Sequence, residues 1–438
     1  MPIRSLLTRF LSDRSGNVAI ICAFAFIPRL VVAGGVTDIA RHEAYRVQLQ
    51  DGVDRAVLAA ASLTQTRTIE ATVTDYMKSV PFIKDVKVSF TPKTGLNYRE
   101  VTVQAQYAMS TGFLPLIGVN TIMVSASATA IERRKNVEIS LMLDVSGSMR
   151  NGNPRRIDLL KPAARDFIDA ILNAKTADYT SVSIVPYAGQ VNVGSAVFAG
   201  LGGTRLHKNS SCFEFADADY AAGMRTFAGR AQVPHFTHWN FNQNVKDMNW
   251  WWCPTEDTSI SYLSNNAIAL KQRITDYKMH DGTGTAVAMN WGLMLLDPSS
   301  RDFVQWASTA GIVPTAFAGR PSAFNDGETL KFIVLMTDGA ISDQYRPKDA
   351  NRSVTLAPDN KLTQSRTQAR DLMYKVCNRA KANGVVVFTI GFEVDSTAAT
   401  EMANCASSPS HFYSVTGLDI AKAFSSIASA IQKIRLTQ

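Results

Sequence analysis

Two hydrophobic periodicities alternate along the chain, and an unbroken apolar run precedes both. The run NVAIICAFAFIPRLVVAGGV, opening at Asn17, spans about 20 residues, enough for a helix to cross a bilayer at ~1.5 Å per residue. Pro28 and Arg29 interrupt it, and an arginine near mid-bilayer costs ~2.5 to 3.5 kcal/mol unless it snorkels or pairs. From Asp38 to about Leu63, residues Ala40, Val47, Leu49, Val53, Ala56, Val57 and Ala60 follow roughly helical spacing, so the helix is expected to continue outward as an amphipathic stem. Thr66 to Ser79 reads as a second helix. The segments DVKVSF, REVTVQAQY and TIMVSASATAI then alternate with the period of two that marks half-buried strands. Together they predict a small α+β neck.

After the polar cluster Glu132 to Asn136 the pattern changes. VEISLMLD is an apolar run of strand length, followed by a polar turn and by RIDLLKPAARDFIDAILNA, which repeats at helical spacing. Further strands are expected at TSVSIVPYA, LKFIVLMTD, GVVVFTIGF and HFYSV. Helices are expected around Ile268–Tyr277, Thr285–Leu296, Thr363–Lys381 and Thr397–Cys405, with a terminal one from Leu418. Near-continuous apolar strands alternating with helices predict an α/β fold whose mostly parallel central sheet carries helices on both faces. Between about 191 and 261 no periodicity is visible. This insert is rich in Trp, Asn, Phe, Gly and His, and its NWWWCP run is read either as a local mini-core or as an exposed binding surface.

Address and charge refine the picture. Arg4, Arg9 and Arg14, with Asp13 as the one acid among them, precede the apolar run and predict a cytoplasmic tail over 1–14, a transmembrane segment over 15–37 and everything later outside. A cleavable signal peptide with its cut after Ala33 is the alternative, and it exports the same body. The net charge is +8, but Lys and Arg are interleaved with acids and no basic run appears, so nucleic acid is not an expected partner. Of five cysteines, Cys22 lies in the apolar run. Cys212, Cys253, Cys377 and Cys405 remain, an even number suited to an oxidising compartment. Proximity in sequence pairs Cys212 with Cys253 and Cys377 with Cys405, although four cysteines allow three connectivities. A zinc site using His235, His238 and the nearby cysteines is a weaker reading, since no compact Cys-x-x-Cys pair accompanies them.

The segment LMLDVSGSM places Asp144, Ser146 and Ser148 at the carboxyl end of a buried strand, with Gly147 easing a tight turn. One carboxylate and two hydroxyls aimed at one point are hard donors. Magnesium takes about six oxygens at ~2.0 to 2.1 Å, so other loops must contribute. Thr283 in DGTGTAVAMNWG precedes a helix and Asp338 follows the strand IVLMT, so both are expected at the same edge of the sheet, where such sheets bind ligands. Asp-x-Ser-x-Ser, a Gly-x-Thr-like helix start and Thr-Asp-Gly, in that order, resemble the metal-ion-dependent adhesion site of the von Willebrand factor A family. The resemblance implies that Asp144, Ser146, Ser148, Thr283 and Asp338 hold Mg2+, with Mn2+ or Ca2+ as alternatives. It implies further that water or an acidic side chain of a protein partner completes the coordination. Thr285 is a substitute for Thr283 that spacing does not exclude. The bland alternative is a turn held by local Ser and Asp hydrogen bonds. The sharper one is a phosphatase with Asp144 as nucleophile, which wants a second acid where this chain has Ser146.

The ends carry a second resemblance. DRSGNVAIICAFAFIP, the alanine-rich DGVDRAVLAAAS, CNRAKANGVVVFTIGFEV, CASSPSHFYSV and the terminal IRLTQ resemble TadG-like Flp pilus-assembly proteins that carry a von Willebrand A domain. The resemblance implies a stem and neck over 38–134, an adhesion domain over 135–438, and a non-enzymatic role in assembling or anchoring a thin pilus at a bacterial envelope. A surface adhesin using the same site is the alternative. Prepilin-type processing is not expected, because the position five residues after Gly16 is Ile21 rather than Glu.

Overall fold

The apolar run and the amphipathic stem form a single helix, α1 (Gly16–Ala61), continuous through Pro28. In the computed structural model, residues 16–95, 97–224, 227–238, 245–351 and 359–437 are described; the expected tail over 1–14 lies outside them. The chain divides into two compact units, Met1–Arg133 and Arg134–Gln438. Among the described residues one helix is long and apolar enough to cross a membrane, and it is α1. Its first half exposes Ile21, Phe24, Ile27 and Val32, whereas Leu49, Val53, Ala56, Val57 and Ala60 are buried.

The stem residues pack against a three-stranded antiparallel meander of β1 (Val86–Thr94), β2 (Tyr98–Ser110) and β3 (Thr121–Arg133). Val101, Val103 and Ala105 on β2 and Val124 and Ala126 on β3 supply the sheet's buried face, joined by Val73 and Met77 of α2 (Ile69–Met77). Alternation of side chains in β2 and β3 gives the unit one apolar face for the helix and one polar face. The second helix begins at Ile69 rather than Thr66, because Thr68 caps it by accepting the Ala71 N–H.

In the second unit six strands form one sheet. In chain order they are β4 (Asn136–Asp144), β5 (Thr180–Tyr187), β6 (Ser261–Ser264), β7 (Thr329–Thr337), β10 (Val386–Phe392) and β11 (Phe412–Val415). Across the sheet the order is β11-β10-β7-β4-β5-β6, parallel except for the edge strand β6. Both faces are covered. Leu141, Leu143, Ile184, Val334 and Ile390 face α3 (Arg156–Ile171), α5 (Ala267–Asp276) and α10 (Asp419–Thr437). Met142, Val185, Leu335 and Val387 face α6 (Thr285–Met294), α8 (Arg366–Ala382) and α9 (Ser396–Cys405).

Two departures from the sequence reading stand out in this unit. The expected helix from Thr363 begins at Arg366, where Ser365 and Gln368 form a reciprocal capping box. The residues before it form β9 (Asn360–Gln364), paired antiparallel with β8 (Gln344–Pro347). An unanticipated helix, α7 (Arg301–Thr309), lies in the stretch before β7. Among its described residues the insert contributes one short α-helix, α4 (Ser195–Gly200), two 3-10 turns, and isolated bridges such as Asn192 with Ser259 and Phe213 with Gln232. Cys212 is bonded to Cys253, and Cys377 to Cys405. Trp252 is buried beside Phe236, and Phe213 and Phe227 join Trp291 of α6, so the aromatic residues of the insert mainly extend the core.

Candidate functional site

Strands β4 and β7 run side by side, with Leu143 opposite Met336. The chain leaves β4 for β5 on one flank and later returns to β7 on the other, so a crevice opens between the loops that follow β4 and β7. Asp144 ends β4 and Asp338 immediately follows β7, which sets both carboxylates at this switch point.

Asp144 is fully buried. Its Oδ1 accepts the Ser146 N–H at 2.8 Å and its Oδ2 accepts the Thr337 hydroxyl at 2.7 Å. The Oγ atoms of Ser146 and Ser148 are 2.9 Å apart, and Ser148 donates to Asp338 Oδ1 at 2.6 Å. Hydroxyls and carboxylates from loops 190 residues apart are thereby joined in one cluster.

Arg156, the first residue of α3, was not singled out from the sequence. It donates from Nη1 to Asp338 Oδ2 at 2.9 Å and to the Asp338 carbonyl at 3.0 Å, and from Nε to Glu393 at 2.8 Å. A cation in the first turn of a helix opposes the macrodipole, and the two carboxylates offset that penalty. That disfavoured placement is the one sequence-level signal that marks it.

The third loop depends on its glycines. Gly282 has φ +76°, and a Cβ on Gly284 would collide with the Gly189 carbonyl, so α6 approaches the end of β5 as only glycine permits. The Gly284 N–H donates to Ala188 at 2.6 Å. Thr283 consequently lines a cleft of about 380 Å³ together with Ser148, Arg150, Met248 and Asp281. Thr285 is fully buried in the first turn of α6 and does not line it. Asp281, also missed in the sequence, accepts the His238 N–H at 2.9 Å and so ties the insert to this loop.

Burial raises the Asp144 carboxyl well above the usual range, and the negative charge of Asp338 raises it further, against hydrogen bonds from Ser146 and Thr337. Asp338 is also raised by burial, opposed by Ser148 and Arg156. Asp338 has a guanidinium beside it, while the two donors to Asp144 carry no charge. A hard divalent cation fits such a set of oxygens, and a soft-ligand metal does not. The zinc alternative fails, because Cys212 and Cys253 are joined in a disulfide while His235 and His238 stack on Trp251 and Tyr345.

The sheet order and the three loops at its carboxyl edge make the body an α/β domain with a mostly parallel central sheet. Residues 16–63 match the family model described as putative Flp pilus-assembly TadE/G-like. With the apolar α1, this fits an envelope-anchored protein. Among solved structures the chain is similar to the vWF domain of the type V pili tip protein Mfa5 from Porphyromonas gingivalis, at 12% identity and TM-score 0.39, covering 69% of this chain and 97% of that one. It is similar also to the pilus adhesin SpaC from Lactobacillus rhamnosus GG, at 11% identity and TM-score 0.39, covering 80% of this chain but 35% of that one. A third is proximal thread matrix protein 1 from the mussel byssus, solved with a zinc-occupied MIDAS motif, at 12% identity and TM-score 0.32, covering 84% and 52%. No curated protein sequence matches the chain.

Proposed function

We propose that this chain is a membrane-anchored component of Flp pilus assembly that binds an envelope or pilus protein through a divalent cation held by Asp144, Ser146, Ser148, Thr283 and Asp338. The observation that carries the reading is the buried Asp144 carboxylate, which has only uncharged donors and stands beside a second buried carboxylate. A bound ion, Mg2+ first and Mn2+ or Ca2+ by the same oxygen chemistry, would supply a positive centre suited to a partner's carboxylate. The chain's own residues do the rest. Ser148 donates to Asp338 and lies 2.9 Å from the Ser146 hydroxyl, Arg156 holds that carboxylate by one oxygen, and Thr283 adds a hydroxyl from the cleft wall. Thr283 is preferred to Thr285 because it reaches the cleft. Arg150 on the same cleft favours an acidic partner. Arg4, Arg9 and Arg14 before the apolar run support an N-terminus inside and a body outside the membrane.

Calorimetric titration of the protein with Mg2+ and Mn2+ tests this. Saturable binding is expected in the wild type and its loss in folded Asp144→Ala and Asp338→Ala variants. Wild-type binding by either variant would remove the metal site from the proposal.

A further inference from the structure

We propose that the loop between β2 and β3, residues 111–120, enters the membrane interface beside α1 and acts as a second, shallow lipid anchor. The inference rests on α1 being the membrane span and goes beyond it, because the loop is distant in sequence from that helix. Gly112, Phe113 and Leu114 donate their N–H groups to the Asp38 carboxylate at 2.8, 2.8 and 3.0 Å, and Asp38 is fully buried. This contact falls where the apolar half of α1 ends. A Cβ on Gly34 would collide with the Phe113 ring, and one on Gly35 would press on Leu114. The loop therefore rests on the last apolar turn of the helix, level with Val32 and Val36, whose side chains are exposed.

The loop is built for a low-dielectric surrounding. Its tip reads FLPLIGV, and it exposes Leu116 and Ile117 at 62% and 58%, with Phe113 and Val119 also open. No charged side chain lies between Thr111 and Asn120. Most of its backbone donors are bonded within the protein. Beyond the three held by Asp38, the N–H groups of Leu116, Gly118 and Val119 bond to Phe113, Pro115 and Leu114 carbonyls at 3.2, 3.0 and 3.1 Å, and Pro115 has none. Thr111 closes the base by donating its hydroxyl to the Val119 carbonyl at 2.6 Å. Irregular backbone does not face the hydrocarbon core, so the loop suits the interfacial region, where polar groups keep access to water and headgroups. Exposed apolar side chains continuous with a spanning helix favour lipid over a protein partner as what covers them.

The test uses the full chain in liposomes, in a Cys22→Ser background, since the other four cysteines are bonded to each other. A fluorophore is attached in turn at Val32→Cys on the helix, at Leu116→Cys and Ile117→Cys on the loop, and at Thr94→Cys at the opposite end of the sheet. Quenching by nitroxide-bearing lipids is read at each. Strong quenching at Val32, quenching at 116 and 117 several-fold above that at Thr94, and its reduction by Asp38→Ala are expected. Quenching at Val32 with none at 116 and 117 would overturn the loop anchor and leave the span. A loop label shielded from aqueous iodide yet untouched by lipid nitroxide would mean that protein covers it, and would also overturn the proposal. No quenching at Val32 would overturn the span and the loop anchor together.

Discussion

At the scale of single residues, Arg156 and His280 decide how the loops around the crevice are held. Arg156 neutralises Asp338, whose side chain has no solvent exposure, while its other partner Glu393 is partly exposed and can rehydrate. Replacing Arg156 by Met leaves Asp338 beside Asp144 without its cation, so the metal-free protein should lose on the order of 3 kcal/mol in urea unfolding. Saturating Mg2+ should then stabilise the variant more than it stabilises wild type, and equal stabilisation would show that Arg156 and the ion do not share Asp338. His280 is buried between the loop after β4 and the insert: its backbone N–H donates to Val145, its Nδ1 donates to the Lys278 carbonyl at 2.9 Å, and its Nε2 accepts the Thr255 N–H at 3.1 Å. That arrangement needs the neutral ring, and burial pushes its pKa down to about 4. Because the folded ring is harder to protonate than the unfolded one, its stabilising effect is full above the unfolded value and is lost as pH falls from about 6.5 toward 4. By pH 5 the loss should be on the order of 2 kcal/mol. Urea unfolding at pH 7 and pH 5 should show a smaller drop for His280→Gln than for wild type, and equal drops would remove His280 as the cause.

At the scale of elements, the central strands are tied by charge at the end opposite the crevice. Glu138 on β4 and Lys331 on β7 are in register and form a buried ion pair; Glu138 also accepts the Ser322 N–H at 2.9 Å and Lys331 donates to the Leu296 carbonyl at 2.8 Å. Lys331→Met should cost about 3 to 5 kcal/mol, since it strands a buried carboxylate. Adding Glu138→Gln, which still accepts the Ser322 N–H, should recover much of that loss in chemical unfolding; an unrecovered double variant would mean that the two charges are not coupled. The strands that carry the crevice were legible because each is buried on both faces and so reads as an unbroken apolar run, as in VEISLMLD and LKFIVLMT. The hairpin of β8 and β9 was not legible, because QYRP and NKLTQ are short and polar and owe their pairing to register rather than to an apolar pattern. For the same reason the following helix was begun too early, across residues that belong to β9. The local motif brought Asp144, Ser146 and Ser148 into view, and Thr-Asp-Gly added Asp338. Arg156 stayed hidden because its partner Asp338 lies 182 residues away, and no local pattern records such a contact.

At the scale of the whole molecule, each unit has hydrophobic clusters of its own among the described residues. The cluster containing Leu49, Val103 and Val124 lies within Met1–Arg133, and those built on β4, β7 and the insert lie within Arg134–Gln438. The apolar length of α1 belongs to the first unit; among the described residues of the second, no helix is long and apolar enough to cross a membrane. The second unit carries both disulfides. Cys212–Cys253 closes a sequence separation of 41 within an insert that has little regular structure, and Cys377–Cys405 links α8 to α9 over 28. In the chain-entropy account a closure of the first length is worth about 4 kcal/mol, and it matters most where hydrogen-bonded strands and helices contribute least. Residues Arg134–Gln438 produced alone in an oxidising compartment should unfold cooperatively. Reduction should lower the unfolding midpoint, with amides of 204–233 gaining hydrogen exchange before those of β4 and β7. A body that aggregates unless the first unit is attached would show that the cores depend on each other. Unchanged exchange in the insert after reduction would show that its aromatic packing against Trp291, rather than the disulfide, holds it to the sheet.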